Sequence, residues 1–158
     1  MISFVTAPED RRDIARAILD TLPDWFGIPT SVDAYVEGAR SYPMLVYRDA
    51  DAAIGFLSLK HQTTIACEAY VLGVLPAWHR RGVGRELFVA AGTHLVGEGY
   101  RYLTVKTLSA DRPDPSYEKT RKFYEGVGFE PIEVFPDLWG SHNPCLLMLK
   151  PLGQEQLI

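Results

Sequence analysis

Ten residues constrain this chain more than any others: Pro76-Ala77-Trp78-His79-Arg80-Arg81-Gly82-Val83-Gly84-Arg85. They follow an apolar run, Tyr70 to Leu75. They open an amphipathic stretch in which Val83, Leu87, Ala91 and Leu95 share one helical face. A strand that ends in a basic, double-glycine turn and enters a helix makes an anion cradle. The first backbone N–H groups of a helix have no acceptor within it and carry partial positive charge. Gly82 and Gly84 remove the Cβ atoms that would keep a phosphate away from that backbone. The feature points to a phosphorylated cofactor.

A Gly-x-Gly between strand and helix is also compatible with a plain tight turn, and Arg80, Arg81 and Arg85 with a solvated basic patch. Spacing excludes two other phosphate motifs. A dinucleotide fingerprint needs a third glycine or alanine where Leu87 stands. A P-loop closes with Gly-Lys-Ser/Thr, whereas Gly84 is followed by Arg85 and Glu86.

The remaining pattern predicts an α/β chain without repeats or linkers. Ile2 to Val5 reads as a strand, Pro8 to Leu22 as a helix with an Ile14, Ala17, Ile18 stripe, and Ser31 to Arg40 as a second helix. Met44 to Arg48 and Ala53 to Lys60 form a hairpin about Asp49-Ala50-Asp51. Thr64 to Val74 is the strand before the basic turn, and a helix from Arg81 to Val96 ends at Gly97 and Gly99. A strand at Tyr100 to Thr107, a helix at Tyr117 to Glu125, and strands at Gly128 to Phe135 and Cys145 to Leu149 complete the order. Gly73, inside a strand run, suggests a bulge or a close backbone approach.

At 158 residues the chain is long enough for one domain with a substantial core. A net charge of −4 argues against nucleic-acid binding and is compatible with a cationic or amine substrate. Cys67 and Cys145 lie in apolar runs and read as buried reduced thiols. Among the four histidines and two cysteines no metal-ligand spacing occurs, so no metal is expected. The first residues lack a charged leader and no long apolar segment follows, which predicts a cytoplasmic protein with no membrane association.

The basic turn resembles the coenzyme A motif of the GNAT superfamily of N-acetyltransferases, Arg/Gln-x-x-Gly-x-Gly/Ala after a Val-x-Pro-like step. Val74-Leu75-Pro76 supplies the step and His79-Arg80-Arg81-Gly82-Val83-Gly84 the loop, with His79 departing from Arg/Gln at the first position. Phe123-Tyr124-Glu125-Gly126-Val127-Gly128-Phe129 is similar to a second family block, Phe-Tyr-x-x-x-Gly-Phe. The order of strands and helices matches as well. The resemblance covers roughly residues 2–152 and implies a single N-acetyltransferase domain over residues 1–158. Its fold would be a mixed sheet of about seven strands with one splayed pair, flanked by about four helices.

For the site, the resemblance implies acetyl-CoA as co-substrate. The pyrophosphate would sit on His79, Arg80, Arg81, Gly82, Val83, Gly84 and Arg85, and the pantetheine arm along Leu72, Gly73 and Val74, with the Leu72 N–H donating to the thioester oxyanion. Tyr124 holds the family position of the general acid that protonates the leaving thiolate; the alternative is a tyrosine packing on the pantetheine arm. Tyr117 stands where the family commonly carries a cofactor-binding asparagine. Glu68 lies fourteen residues before Gly82, the offset of the general base in the histone-acetylating branch; the alternative is a solvated strand residue.

The acceptor would be walled by two loops of similar wording, Leu22-Pro23-Asp24-Trp25-Phe26-Gly27 and Phe135-Pro136-Asp137-Leu138-Trp139-Gly140. Asp24, Trp25, Asp137 and Trp139 could hold a cationic amine by charge and cation–π attraction, or serve as core plugs and turn residues. The leading expectation is an N-acetyltransferase for a primary amine of a small molecule, such as an aminoglycoside or a polyamine. A protein or peptide acceptor and a catalytically silent acyl-CoA-binding module are the alternatives. The protein is expected to be a monomer or homodimer.

Overall fold

Prolines set three of the helix starts. In the computed structural model, which describes residues Met1–Gly153, α1 (Pro8–Leu19), α2 (Pro29–Ala39) and α4 (Pro115–Gly126) each begin on a proline. Proline is favoured there because its missing N–H would have no helical acceptor and its φ is already helical. That is why α2 and α4 start two residues earlier than their apolar periodicity indicates. The last five residues of the expected domain, 154–158, lie outside the described residues.

The strands are β1 (Ile2–Val5), β2 (Met44–Asp49), β3 (Ala52–His61), β4 (Ala66–Val74), β5 (Tyr102–Leu108), β6 (Glu130–Phe135) and β7 (Cys145–Pro151). With α3 (Val83–Gly97) they follow the expected order of elements. The mixed sheet has the strand order β1-β2-β3-β4-β5-β7-β6. β4 and β5 pair in parallel at Ala66–Glu68 with Tyr102–Thr104, and the β1–β2, β2–β3, β5–β7 and β6–β7 pairs are antiparallel. No helix among the described residues is long and apolar enough to cross a membrane.

Several boundaries differ from the sequence reading for local reasons. α1 ends at Leu19 because Thr21 and Leu22 turn back by tighter bonds to Ile18 and Leu19, ahead of Pro23. β4 starts at Ala66, not Thr64, because the Thr63 hydroxyl accepts the Ile65 and Ala66 N–H groups in a turn. α3 starts at Val83 because Gly82 has φ +83, and β6 starts at Glu130 because Gly128 has φ +106. Neither φ is compatible with a regular helix or strand.

The chain packs as two compact units: Met1–Lys60 with Ala69–His94, and His61–Glu68 with the chain from Leu95 onward. In the first, Val5, Ala15, Ile18, Leu19, Val36 and Phe56 belong to one buried cluster. In the second, Leu103, Val105, Phe129 and Met148 are buried, as are both thiols. Cys67 and Cys145 are free, as expected, and burial pushes each thiol up to about 11.

Gly73 marks a close approach. A Cβ there would stand 2.9 Å from Ile18 Cγ2, 3.0 Å from Phe56 Cε1 and 3.3 Å from Leu19 Cδ2, all on buried residues. Gly55, one residue before Phe56 and so on the other face of β3, would meet Val83 Cγ1 at 2.9 Å and Leu87 Cδ1 at 3.4 Å. The two glycines let α1 and α3 dock directly on the backbone of the first unit. Gly73→Ala should destabilise the protein by about 1–3 kcal/mol through overpacking, read as a lower urea midpoint at unchanged slope. An unchanged midpoint would show that the contact carries no such constraint.

Candidate functional site

The basic turn is built inside the first unit. Residues Pro76–Trp78 form a single 3-10 turn, closed by Trp78 and His79 N–H bonds to Leu75 and Pro76 carbonyls. The chain then passes through two left-handed residues, Arg80 at φ +62 and Gly82 at φ +83. Arginine pays a steric cost in that region, which must be imposed by its surroundings. His79 Nε2–H donates to the Val74 carbonyl at 2.7 Å and ties the turn to the end of β4. The Arg81 guanidinium lies over the Trp78 ring, 5.1 Å from its centroid.

From Gly82 the chain enters α3. Glu86 N–H bonds to Gly82 O at 3.0 Å, so the amides of Val83 and Gly84 belong to the open first turn of the helix. Apart from Gly82 and its two chain neighbours, no heavy atom of the described residues lies within 4 Å of the point where a Gly82 Cβ would stand. Val83 itself is buried against the position of Gly55, which holds the helix start in place. An exposed, glycine-opened helix start flanked by Arg80, Arg81 and Arg85 fits a pyrophosphate.

Leu72 and Val74 are half-buried on one face of β4, and Gly73 is buried on the other. The close approach expected at Gly73 is therefore to Ile18, Leu19 and Phe56 in the core. Trp25 packs against the same core and meets His79 edge-on, with ring centroids 5.9 Å apart. One of the two tryptophans expected at the acceptor thus meets the basic turn edge-on. Asp24 is exposed beside it. The loop is followed by a ring series that sequence reading missed: Phe26–Tyr35 at 5.8 Å, Tyr35–Tyr70 at 5.4 Å and Tyr42–Tyr70 at 5.0 Å. Lys60 Nζ stands 5.7 Å from both the Tyr42 and Tyr70 centroids.

The second unit carries the other expected residues. Tyr124 is buried near the end of α4, its ring 5.7 Å from Phe123 and 5.6 Å from Phe129. The Tyr124 carbonyl accepts Val127 and Phe129 N–H groups in the turn that Gly128 makes. At the other end of α4, Asp114 Oδ1 caps the helix by accepting Ser116 and Tyr117 N–H groups at 2.9 and 3.2 Å. Burial pushes the Tyr117 phenol above its ordinary value, with Asp114 adding to the rise. Trp139 is half-buried and Asp137 exposed, its carbonyl accepting Gly140 N–H at 3.2 Å in a turn.

Glu68 is not a solvated strand residue. It is 5% exposed, and its Oε2 accepts a hydrogen bond from Lys106 Nζ at 2.8 Å. Glu68 pairs in register with Thr104, and Lys106, two residues along β5, points to the same side. The signal in the sequence was a lone lysine within the strand run Tyr102 to Leu108, at the same alternation as Thr104.

The family model for the acetyltransferase (GNAT) domain matches residues 40–131, which hold the basic turn, Glu68 and the block around Tyr124. No curated protein sequence matches significantly. Among solved structures, a GNAT-family protein from Desulfovibrio desulfuricans is similar with a TM-score of 0.82 at 19% identity, covering 97% of this chain and 100% of the other. An aminoglycoside 6'-N-acetyltransferase complexed with coenzyme A gives 0.72 at 18% identity, covering 96% of each chain. An IAA acetyltransferase from Bacillus cereus gives 0.71 at 15% identity, covering 96% and 100%. At such identities these likenesses concern the fold, whereas the family match spans more than half of the chain. The chain belongs to the GNAT family of N-acetyltransferases.

Proposed function

We propose that the protein transfers an acetyl group from acetyl-CoA to a primary amine of a small molecule, by direct attack of the amine on the thioester. The reading covers the whole chain as one N-acetyltransferase domain acting in the cytoplasm. The observation that carries it is the turn before α3, where Gly82 at φ +83 leaves open space above a helix start beside three arginines. That arrangement has the charge and backbone access a pyrophosphate requires. Family membership supplies the chemistry.

In this reading the amides of Val83 and Gly84 and the side chains of Arg80, Arg81 and Arg85 bind the pyrophosphate. His79 holds the turn on Val74, and Leu72, Gly73 and Val74 line the pantetheine arm. Tyr117 contributes at the start of α4. Asp24, Trp25, Asp137 and Trp139 receive the acceptor amine. An amine arrives mostly as ammonium, with a pKa of about 10 when lysine-like, and only its neutral form attacks. Glu68 takes that proton. The nitrogen adds to the carbonyl carbon, and the Leu72 N–H stabilises the oxyanion that forms. The C–S bond then breaks, the Tyr124 hydroxyl protonates the departing thiolate, and the second proton that the nitrogen loses as the amide forms restores the Tyr124 phenol. The products are the N-acetylated amine and coenzyme A.

Titration calorimetry with coenzyme A checks the turn. Gly84→Glu should weaken binding at least tenfold in a variant whose thermal unfolding is unchanged, because a carboxylate then stands at the anion cradle. Undiminished affinity in that folded variant would remove the turn from the cofactor site. Tyr124→Phe should lower turnover by about a hundredfold while the acetyl-CoA KM changes little, as for loss of one proton-transfer group. Normal turnover where chemistry limits the rate would leave Tyr124 a packing residue. A screen of amines that follows free coenzyme A release identifies the acceptor. Release with peptide amines alone would overturn the small-molecule reading.

A further inference from the structure

A carboxylate buried on a sheet is a poor proton acceptor unless something keeps it ionised and aimed. Desolvation disfavours the charged form, and an isolated buried charge relieves the penalty by taking up a proton. The Glu68 side chain is 7% exposed, so a base there needs a partner that fixes its orientation. Its direct cross-strand neighbour, Thr104, offers no help, because the Thr104 hydroxyl donates to Gln62 Oε1 at 2.8 Å. The buried thiols of Cys67 and Cys145 stay neutral and place no thiolate charge beside Glu68.

The compensating charge is Lys106. Its Nζ meets Glu68 Oε2 at 2.8 Å, within the range of a charge-assisted hydrogen bond. The two residues come from adjacent parallel strands, thirty-eight positions apart in sequence. The geometry is lopsided in a useful way: the Lys106 side chain is 30% exposed and Glu68 is almost enclosed. The contact engages Oε2 of the carboxylate.

We propose that Lys106 is a positioning residue for the acetyl-transfer reaction, its hydrogen bond to Oε2 holding the Glu68 carboxylate in the orientation in which it takes the proton of the acceptor amine. This rests on the reading of Glu68 as the base. Lys106 donates through the same hydrogen bond throughout and does not itself transfer a proton to substrate. Because Lys106 acts through Glu68, its removal matters only while Glu68 is a carboxylate.

A double-mutant cycle on steady-state rates tests this, with Glu68→Gln, Lys106→Met, Lys106→Arg and the Glu68→Gln/Lys106→Met double variant. Each is first checked for native circular dichroism and thermal unfolding, and the double variant removes both charges together, which guards against a buried carboxylate left unpaired. Glu68→Gln should lower kcat by about a hundredfold, the effect of losing one proton-transfer group. Lys106→Met should lower kcat by about tenfold or more, with the acetyl-CoA KM unchanged. Lys106→Arg should recover most of the loss, because a guanidinium can donate to the same oxygen. In the Glu68→Gln background, Lys106→Met should cost less than about twofold further. Equal losses in both backgrounds, or normal turnover of Lys106→Met beside an impaired Glu68→Gln, would overturn the role of Lys106 and leave the base reading intact. Full activity of Glu68→Gln would overturn the base reading itself, and the role of Lys106 with it.

Discussion

The first unit depends on two places where a helix touches sheet backbone with no side chain between. At Gly73 the α1 side chains Ile18 and Leu19 occupy the space a Cβ would need, and at Gly55 Val83 and Leu87 of α3 do the same. Direct contact of this kind trades the conformational cost of glycine in a strand for dense packing between helix and sheet. The consequence at Gly55 reaches the basic turn. Val83 is the first residue of α3, so the contact that seats the helix also fixes where the basic turn must end. Its other end is fixed by the His79 bond to Val74. Between these anchors the backbone accepts left-handed geometry even at Arg80.

The block around Tyr124 has a comparable physical reason. Gly128 at φ +106 reverses the chain after α4, and a Cβ there would crowd the Lys150 side chain, 3.3 Å from its Cε. Lys150, buried, uses that lane to donate from Nζ to the Val127 carbonyl at 2.7 Å, placing a cation on the C-terminal end of α4. With the Asp114 cap at the other end, α4 is tied down at both ends. The phenylalanines of the block flank the Tyr124 ring, so the motif's glycine and aromatic residues all serve to place one phenol.

The Glu68–Lys106 ion pair carries a cost in stability. Removing two charges from water costs several kcal/mol, and their attraction repays it only with good geometry. A strand position of this kind would be filled more stably by an apolar pair. Retaining an ion pair on an otherwise well-packed sheet is consistent with a carboxylate kept for its reactivity.

The sequence by itself determined the class of the protein. Apolar periodicity and turn residues specify the order of the seven strands and four helices among the described residues, because those signals act over neighbouring residues. The Gly82-Val83-Gly84 turn and the Phe123 to Phe129 block were legible for the same reason, each being a local backbone requirement written in glycine. Where local signals compete, boundaries moved: Pro29 and Pro115 extended helices at their starts, and the Thr63 turn shortened β4. Tertiary structure decided what Glu68 is. Its offset from Gly82 resembles that of the general base in one branch of the family, but strand residues with the same pattern can face solvent or core. Only the parallel pairing of Ala66–Glu68 with Tyr102–Thr104 buries it and brings Lys106 to its carboxylate. Tertiary structure likewise explained Gly73 by Ile18 and Phe56, and assembled Tyr35, Tyr42, Tyr70 and Lys60 from four separate elements or their connections. Contacts between residues so distant in the chain leave no periodic trace, since each partner's own neighbours specify only its local conformation.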